Sequence, residues 1–229
     1  MLSGNQIQAL LEGVWMTVRV FALAGLLGTV LALLFGIMSL AENRLLRWIS
    51  RIYVEVARGA SAIVLLFYAA FAIPIILGMR SGRTFVFTAA VVALGVNMGG
   101  YGAEVVRTGI QSVPRGQTEA ATALNLRFRD RLRHVTLPQA LIVMLPPYGN
   151  LSIEVLKATA LVSLVGLADL TAEAQNLRVQ RAVSGSRAAT SLAIFGTALV
   201  FYFVMAQLLA VFFRWLERRL AGDWYRGRS

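Results

Sequence analysis

Two ionisable residues, Glu154 and Lys157, lie three positions apart inside an apolar run of this 229-residue chain. Helical neighbours at that spacing share one face, so a carboxylate and an ammonium group would project together. Charged groups inside a membrane span are costly unless they pair or meet water, and they therefore indicate a functional site. Such a pair could bind both ends of a zwitterion. Two alternatives stay open: the pair satisfies only itself, or Lys157 snorkels to the membrane surface.

Uncharged polar residues of the same run are secondary candidates for lining a solute pathway, namely Asn150, Thr159 and Ser163. Catalytic and metal chemistry are not indicated. The chain has no cysteine, and its one histidine, His134, has only Asp130 as an acidic neighbour one turn away. No glycine-rich Walker A loop is present, so ATP would have to be bound by another chain.

The composition is that of a membrane protein. Hydrophobic residues make up 58% of the chain and charged residues 14%, and the mean hydropathy is +0.69. Soluble domains have about 25% charged residues. The formal net charge is +11, and all but one of the 22 basic residues are arginines. Loops that face the cytoplasm and anionic lipid explain this charge better than nucleic acid does.

Five apolar segments predict an all-α membrane protein of one domain, residues 1–229, with spans at about 14–40, 59–79, 84–103, 140–167 and 190–213. Each approaches the roughly 20 residues that a spanning helix needs. The fourth contains Pro146 and Pro147, and irregular backbone is tolerated at membrane depth only beside protein or water. We therefore expect this segment to be irregular and to face the protein interior or a dimer interface.

Arginines set the predicted orientation. They concentrate in loop 41–58, in loop 104–139 and in the C-terminal tail, which all fall on one side of the five spans. The positive-inside rule then places the N-terminus outside and the C-terminus in the cytoplasm. On the outer side, the polar segment 168–189 predicts an amphipathic helix that ends near Ser184 and Gly185.

The cytoplasmic loop contains a second candidate site. Thr118 and Glu119 begin a helix, and the alanines that follow would let another surface approach its backbone closely. Arginines at positions 127, 129, 131 and 133 fall on different helix faces, which suits a solvated or protein-contacting segment. The alternative is a solvated loop whose arginines only set topology.

A family resemblance covers residues 58–166. One stretch of the chain resembles the EAA motif of ABC importer permeases. It reads Glu119-Ala120-Ala121, three residues, Asn125, nine residues and then Val135-Thr136-Leu137-Pro138. Neighbouring segments resemble the polar amino-acid uptake branch of that family: Arg58-Gly59, Tyr101 to Arg107, Gly109 to Val113, Gly116-Gln117, Leu137 to Ala140, Pro146 to Asn150 and Leu156-Lys157. Most members have glycine where this chain has Asn125. Asparagine also adopts the left-handed conformation, so the turn is expected to survive.

The resemblance implies a permease fold of the type I importer class and a cytoplasmic ATPase partner. Glu119, Ala120 and Ala121 would contact the ATPase, Asn125 would end the coupling helix, and Leu137 and Pro138 would support it. The chain itself would bind no cofactor, with ATP held by the partner subunit. A second permease subunit, either a paralogue or a second copy, and an extracytoplasmic solute-binding protein complete the expected assembly in the inner membrane of a bacterium.

The resemblance also narrows the solute. Many amino-acid permeases of this family have an acid after the lysine, where this chain has Ala158, and its absence disfavours strongly cationic solutes. The sequence around Asn125 and after Lys157 is most similar to ectoine and hydroxyectoine permeases. We therefore expect a small zwitterion, an ectoine or a polar amino acid. Two other functions are weighed against this: a membrane-embedded enzyme, and a membrane anchor or assembly protein.

Overall fold

The computed structural model describes residues 4–183 and 188–226, and all regular elements within these ranges are helices. The α-helices are α1 (Gly4–Met38), α2 (Arg44–Gly59), α3 (Ala62–Phe67), α4 (Ile73–Ile76), α5 (Arg83–Gln111), α6 (Arg115–Ala123), α7 (Phe128–Arg131), α8 (Leu137–Ala158), α9 (Leu170–Val183) and α10 (Ala188–Arg226). Two π-helical turns, Tyr68–Ala72 and Leu132–Thr136, and a 3₁₀ segment, Thr159–Val165, connect some of them. The predicted all-α class is confirmed.

Three helices are long and apolar enough to cross a membrane alone: α1, α5 and the 191–220 part of α10. Two bent pairs pass the same test together. The first pair is Arg44–Gly59 with Ala62–Ile76, bent by 99°. The second pair is Arg129–Val165 with Leu170–Arg181, bent by 49°. The predicted five spans are therefore reached only if each bent pair counts as one span.

Several predicted boundaries were wrong. Residues 44–58 were predicted to lie in a loop but belong to α2, and α5 continues past residue 103 to Gln111. The predicted irregularity at Pro146 and Pro147 is absent, because α8 runs unbroken through both. Each proline removes one helical N–H, a loss that a helix tolerates when its neighbours support it. The irregular backbone lies instead at the two ends of α8, in the π turn and the 3₁₀ segment.

Helix α5 is the centre of the fold and packs against α1, α2 and α8. Its glycines make this possible, since small residues let helix backbones approach closely in a membrane. A Cβ atom at Gly100 would lie 2.6 Å from the Cβ atom of Ala57 in α2. One at Gly102 would lie 2.6 Å from the Cβ atom of Ala32 in α1. The two glycines of α5 therefore allow α2 and α1 to pack closely against it.

The sharp bend between α2 and α3 is held by side chains of α5. Asn97 Nδ2 donates to the carbonyl oxygens of Ala57, at 2.9 Å, and Ala60, at 3.4 Å. Tyr101 Oη donates to the carbonyl oxygen of Arg58 at 3.3 Å. The last carbonyls of a helix lack helical donors, and polar groups at membrane depth need partners within the protein. These bonds supply partners where the chain turns.

Helix α9 confirms that the predicted outer polar segment is helical. The buried carboxylate of Asp169 caps it, accepting from the backbone N–H groups of Thr171 at 3.2 Å and Ala172 at 3.0 Å. Tyr202 Oη in α10 donates to the same carboxylate at 3.3 Å. The cap thus fixes α9 to α10. The end predicted near Ser184 and Gly185 lies outside the described residues.

Candidate functional site

Two overlapping cavities lie between the α2–α3 bend, α5 and α8. Their volumes are about 320 and 370 Å³, within the range of small-molecule sites, which begins at about 300 Å³. Four residues border both cavities: Arg58, Tyr101, Leu151 and Glu154. We call the two together the central cleft. Each of the three helical elements therefore contributes a polar side chain to one small space.

Two predicted pathway residues, Asn150 and Glu154, line the central cleft from α8. They lie four positions apart, which places them on one helix face. The Glu154 side chain is exposed and makes no hydrogen bond or ion pair with any residue that the structure describes. An unpaired carboxylate in a small cavity can bind a cationic group of a solute.

The other predicted pathway residues lie elsewhere. Lys157 is exposed but does not border the central cleft, and it forms no ion pair with Glu154 within the described ranges. Thr159 is fully buried, its hydroxyl donates to the carbonyl oxygen of Leu156 at 2.6 Å, and it does not border the central cleft. Ser163 likewise donates to a local carbonyl, that of Ala160, at 2.7 Å.

Among the charged and aromatic residues of the cleft, three were not identified as site residues from the sequence alone: Arg58, Tyr101 and Glu104. Arg58 was assigned to an orientation-setting loop, and the other two served only as family landmarks. Their proximity depends on the 99° bend and on the packing of α2 against α5, which hydropathy does not encode. The amphipathic pattern of residues 44–59 was the available signal, because it predicts a helix rather than a loop.

A wider cavity of about 470 Å³ continues from the central cleft along α2 and α5. It shares Arg58 and Glu104 with the cleft, and its further charged residues are Arg47, Arg51, Glu55 and Arg107. We call it the vestibule. It runs towards the N-terminal end of α2, on the side predicted to be cytoplasmic. Charged side chains therefore line the α2–α5 surface from the cleft to that end of α2.

The second candidate site is the loop that contains α6. Glu119 and Ala120 are exposed, as a docking surface requires, whereas Ala121 is only 3% exposed. The burial of Ala121 leaves Glu119 and Ala120 as the exposed part of the predicted contact, and the contact with an ATPase stays a prediction. Helix α6 packs against the Leu132–Thr136 turn of the same chain, and a small buried residue allows that approach.

Asn125 has a φ angle of 57° and is the one non-glycine residue with a positive φ angle in the described part of the chain. The N–H of Leu126 donates to the carbonyl of Ala121 at 3.1 Å, and that of Asn125 to Thr122 at 2.9 Å. This pair of bonds is the Schellman motif that ends helices at a left-handed residue. The predicted left-handed turn at Asn125 is confirmed.

The loop is held together as a structured unit. Arg131 Nη1 donates to the hydroxyl of Thr122 at 2.9 Å and so connects α7 to α6. Leu137 and Pro138 are partly buried in the first turn of α8, directly after the π turn. They lie next to the π turn against which α6 packs, and their support of the coupling helix stays a prediction.

Comparison with known proteins identifies the family. Residues 16–222 match the family described as the binding-protein-dependent transport system inner membrane component. The chain belongs to this family. Family membership decides between the functions considered above, because the members are permease subunits of ABC transporters. The chain is therefore a permease subunit and not an enzyme, and ATP is hydrolysed by a separate partner. An inner-membrane, multi-pass location agrees with its apolar helices.

The chain is 40% identical over 208 residues to a Sinorhizobium fredii protein named as an amino-acid ABC transporter permease, covering 90% of this chain and 84% of the relative. It is 36% identical to the glutamine transport system permease protein of Escherichia coli, covering 93% and 94% of the two chains. Among solved structures, an amino acid ABC transporter crystallised with histidines superposes with a TM-score of 0.81 at 31% identity, covering 94% and 95%. The type I permease fold is thus confirmed.

Proposed function

We propose that this chain is the permease subunit of an importer for a small zwitterionic solute and that a polar amino acid is the favoured solute. The observation that carries the proposal is the unpaired carboxylate of Glu154 in a small cavity between α2, α5 and α8. Such a group suits the ammonium end of an amino acid. The relatives' names, glutamine and amino-acid permeases, support this solute class.

Ectoine and hydroxyectoine stay as rival solutes. They are compact zwitterions that the same cleft could hold, and the sequence around Asn125 resembles that of their permeases. The relatives described above are named for amino acids. A solute panel therefore has to contain both classes.

The proposed complex has three further components. One chain of at most five spans encloses too little space for a pathway, so a second permease subunit, a paralogue or a second copy, would complete it. A cytoplasmic ATPase would bind the exposed Glu119 and Ala120 of α6. A solute-binding protein would deliver solute on the outer side, where α9 presents polar residues. The positive-inside orientation is part of this proposal.

The test is ATP-driven uptake into proteoliposomes that contain the permease, its ATPase and its binding protein, with glutamine, histidine, arginine and ectoine as solutes. Glu154→Gln removes the charge and keeps the shape. We expect it to raise the KM for a transported amino acid by about tenfold, which corresponds to about 1.4 kcal/mol. Lys157→Gln, one turn away and outside the cleft, is the matched control and should transport like the wild type. Unchanged kinetics in Glu154→Gln, or uptake of no zwitterion, would refute the proposal.

A further inference from the structure

Arg58 is the one residue that borders both parts of the central cleft and the vestibule in the described chain. It lies in the last turn of α2, directly before the bend into α3. The side chain is exposed rather than packed in the core. A solute that passes between cleft and vestibule therefore passes a guanidinium group.

The charge of Arg58 is available to a ligand. No ion pair or side-chain hydrogen bond joins its guanidinium to another residue within 4–183 and 188–226. The nearby carboxylate of Glu104 is already occupied, since Arg107 donates to its two oxygens at 2.5 and 3.0 Å. The guanidinium of Arg58 is thus left without a direct ion pair, although the carboxylates of Glu104 and Glu154 border the same cleft.

Arg58 is also held in place before any ligand arrives. Its guanidinium carbon lies 5.4 Å from the centre of the Tyr101 ring, within the range of a cation–π contact. The hydroxyl of the same tyrosine donates to the Arg58 carbonyl, and Asn97 binds the carbonyls on either side. A group whose position is fixed in advance loses less entropy when a ligand binds.

Arg58 and Glu154 reach the cleft from different helices, α2 and α8, so a cation and a carboxylate line the same space. Guanidinium groups bind carboxylates through two parallel hydrogen bonds, which fixes orientation as well as charge. Lys157, the cation that the sequence suggested for this role, lies outside the cleft. We propose that Arg58 binds the carboxylate of the transported solute while Glu154 binds its cationic end; this rests on the proposed function.

The test measures equilibrium binding to the purified permease–ATPase complex in nanodiscs, without the binding protein, so that only the permease selects the ligand. The probes are glutamine and glutaminamide, in which a neutral amide replaces the carboxylate. The wild type should bind glutamine at least about tenfold more tightly, as charged hydrogen bonds usually contribute that much. Arg58→Gln should weaken glutamine binding by a similar factor and abolish the preference. Arg58→Lys should retain part of it.

Arg44→Gln is the control, because Arg44 lies on the same helix and borders neither the cleft nor the vestibule. It should keep both the affinity and the preference. A wild type that binds both probes equally, or an Arg58→Gln variant that still prefers glutamine, overturns the assignment. The comparison of the two probes on the wild type does not depend on whether any variant folds. A wild type that binds neither probe, nor histidine, arginine or ectoine, contradicts the proposed function itself.

Discussion

Asn125 adopts a backbone conformation that costs most L-residues about 1–2 kcal/mol. Glycine has no such cost, so Asn125→Gly should unfold at the same temperature as the wild type or slightly higher. Asn125→Val should be less stable by about 1–2 kcal/mol, because a β-branched side chain resists a positive φ angle. Thermal unfolding in detergent, together with the amount of ATPase that co-purifies, measures both effects. Equal stability of the valine and glycine variants would show that the turn can form without a left-handed residue.

Ala158 borders the central cleft four positions after Glu154 and therefore on the same face of α8. A carboxylate at this position would give the cleft a second negative group. Ala158→Asp should shift uptake from neutral amino acids towards arginine, raising the arginine-to-glutamine ratio by about tenfold. Competition between the two labelled solutes measures the ratio. Ala158→Asn, similar in size and uncharged, is the control, and an equal shift in that variant would assign the effect to shape rather than charge.

At the residue level, the sequence could identify side chains whose surroundings in the chain make them unusual. Glu154 stood out because it interrupts an apolar run, and Asn125 because it replaces a glycine in a recognisable pattern. Arg58 did not stand out, since it is one of many arginines and acquires its role only when α2 brings it to the cleft. Thr159 was selected because its side chain is polar, but its hydroxyl donates to the local backbone carbonyl of Leu156.

The close approach of α2 to α5 gives a test for the central helix. A Cβ at Gly100 would contact the Ala57 Cβ at 2.6 Å, and alanine has no side-chain torsion with which to move away. Gly100→Ala should therefore destabilise the protein by about 1–3 kcal/mol, as overpacking commonly does. The free energy of unfolding, or the thermal midpoint in detergent, measures this.

Gly25→Ala in α1 is the matched control, because nothing lies within 4 Å of a Cβ there. Alanine is the better helix former, so this variant should be as stable as the wild type or more stable by up to about 1 kcal/mol. If both alanine variants shift stability in the same direction, the packing of α2 on α5 is not the cause.

The elements themselves were predictable where hydropathy alone defines them. The long apolar runs within α1, α5 and α10 were found, although the ends of these helices were not. Helix α2 was missed because it is rich in arginine and therefore resembles a loop on a hydropathy scale. The 99° bend could not be predicted, since it depends on side chains distant in sequence, such as Asn97, that bind the freed carbonyls. The 49° bend involves another distant contact, in which the backbone N–H of Leu170 donates to the hydroxyl of Thr17.

For the whole molecule, the positive-inside orientation can be tested directly because the chain has no cysteine. Asp130→Cys and Gln175→Cys each introduce a single thiol at an exposed position. A membrane-impermeant maleimide should label position 130 only in inside-out vesicles and position 175 only in intact spheroplasts. Labelling of the two positions from the same side would contradict the orientation, and the reverse pattern would invert it.

The bent connection between α2 and α3 has a mechanical consequence. Helix α2 has 16 residues, which makes it about 24 Å long at about 1.5 Å per residue. A rigid rod of that length that tilts by about 5° carries its far end through about 2 Å. Arg58 occupies the far end, next to the bend that Asn97 holds. A tilt of that size about the Arg44 end would be enough to break a hydrogen bond at Arg58, and the bonds from Asn97 and Tyr101 to the bend oppose it.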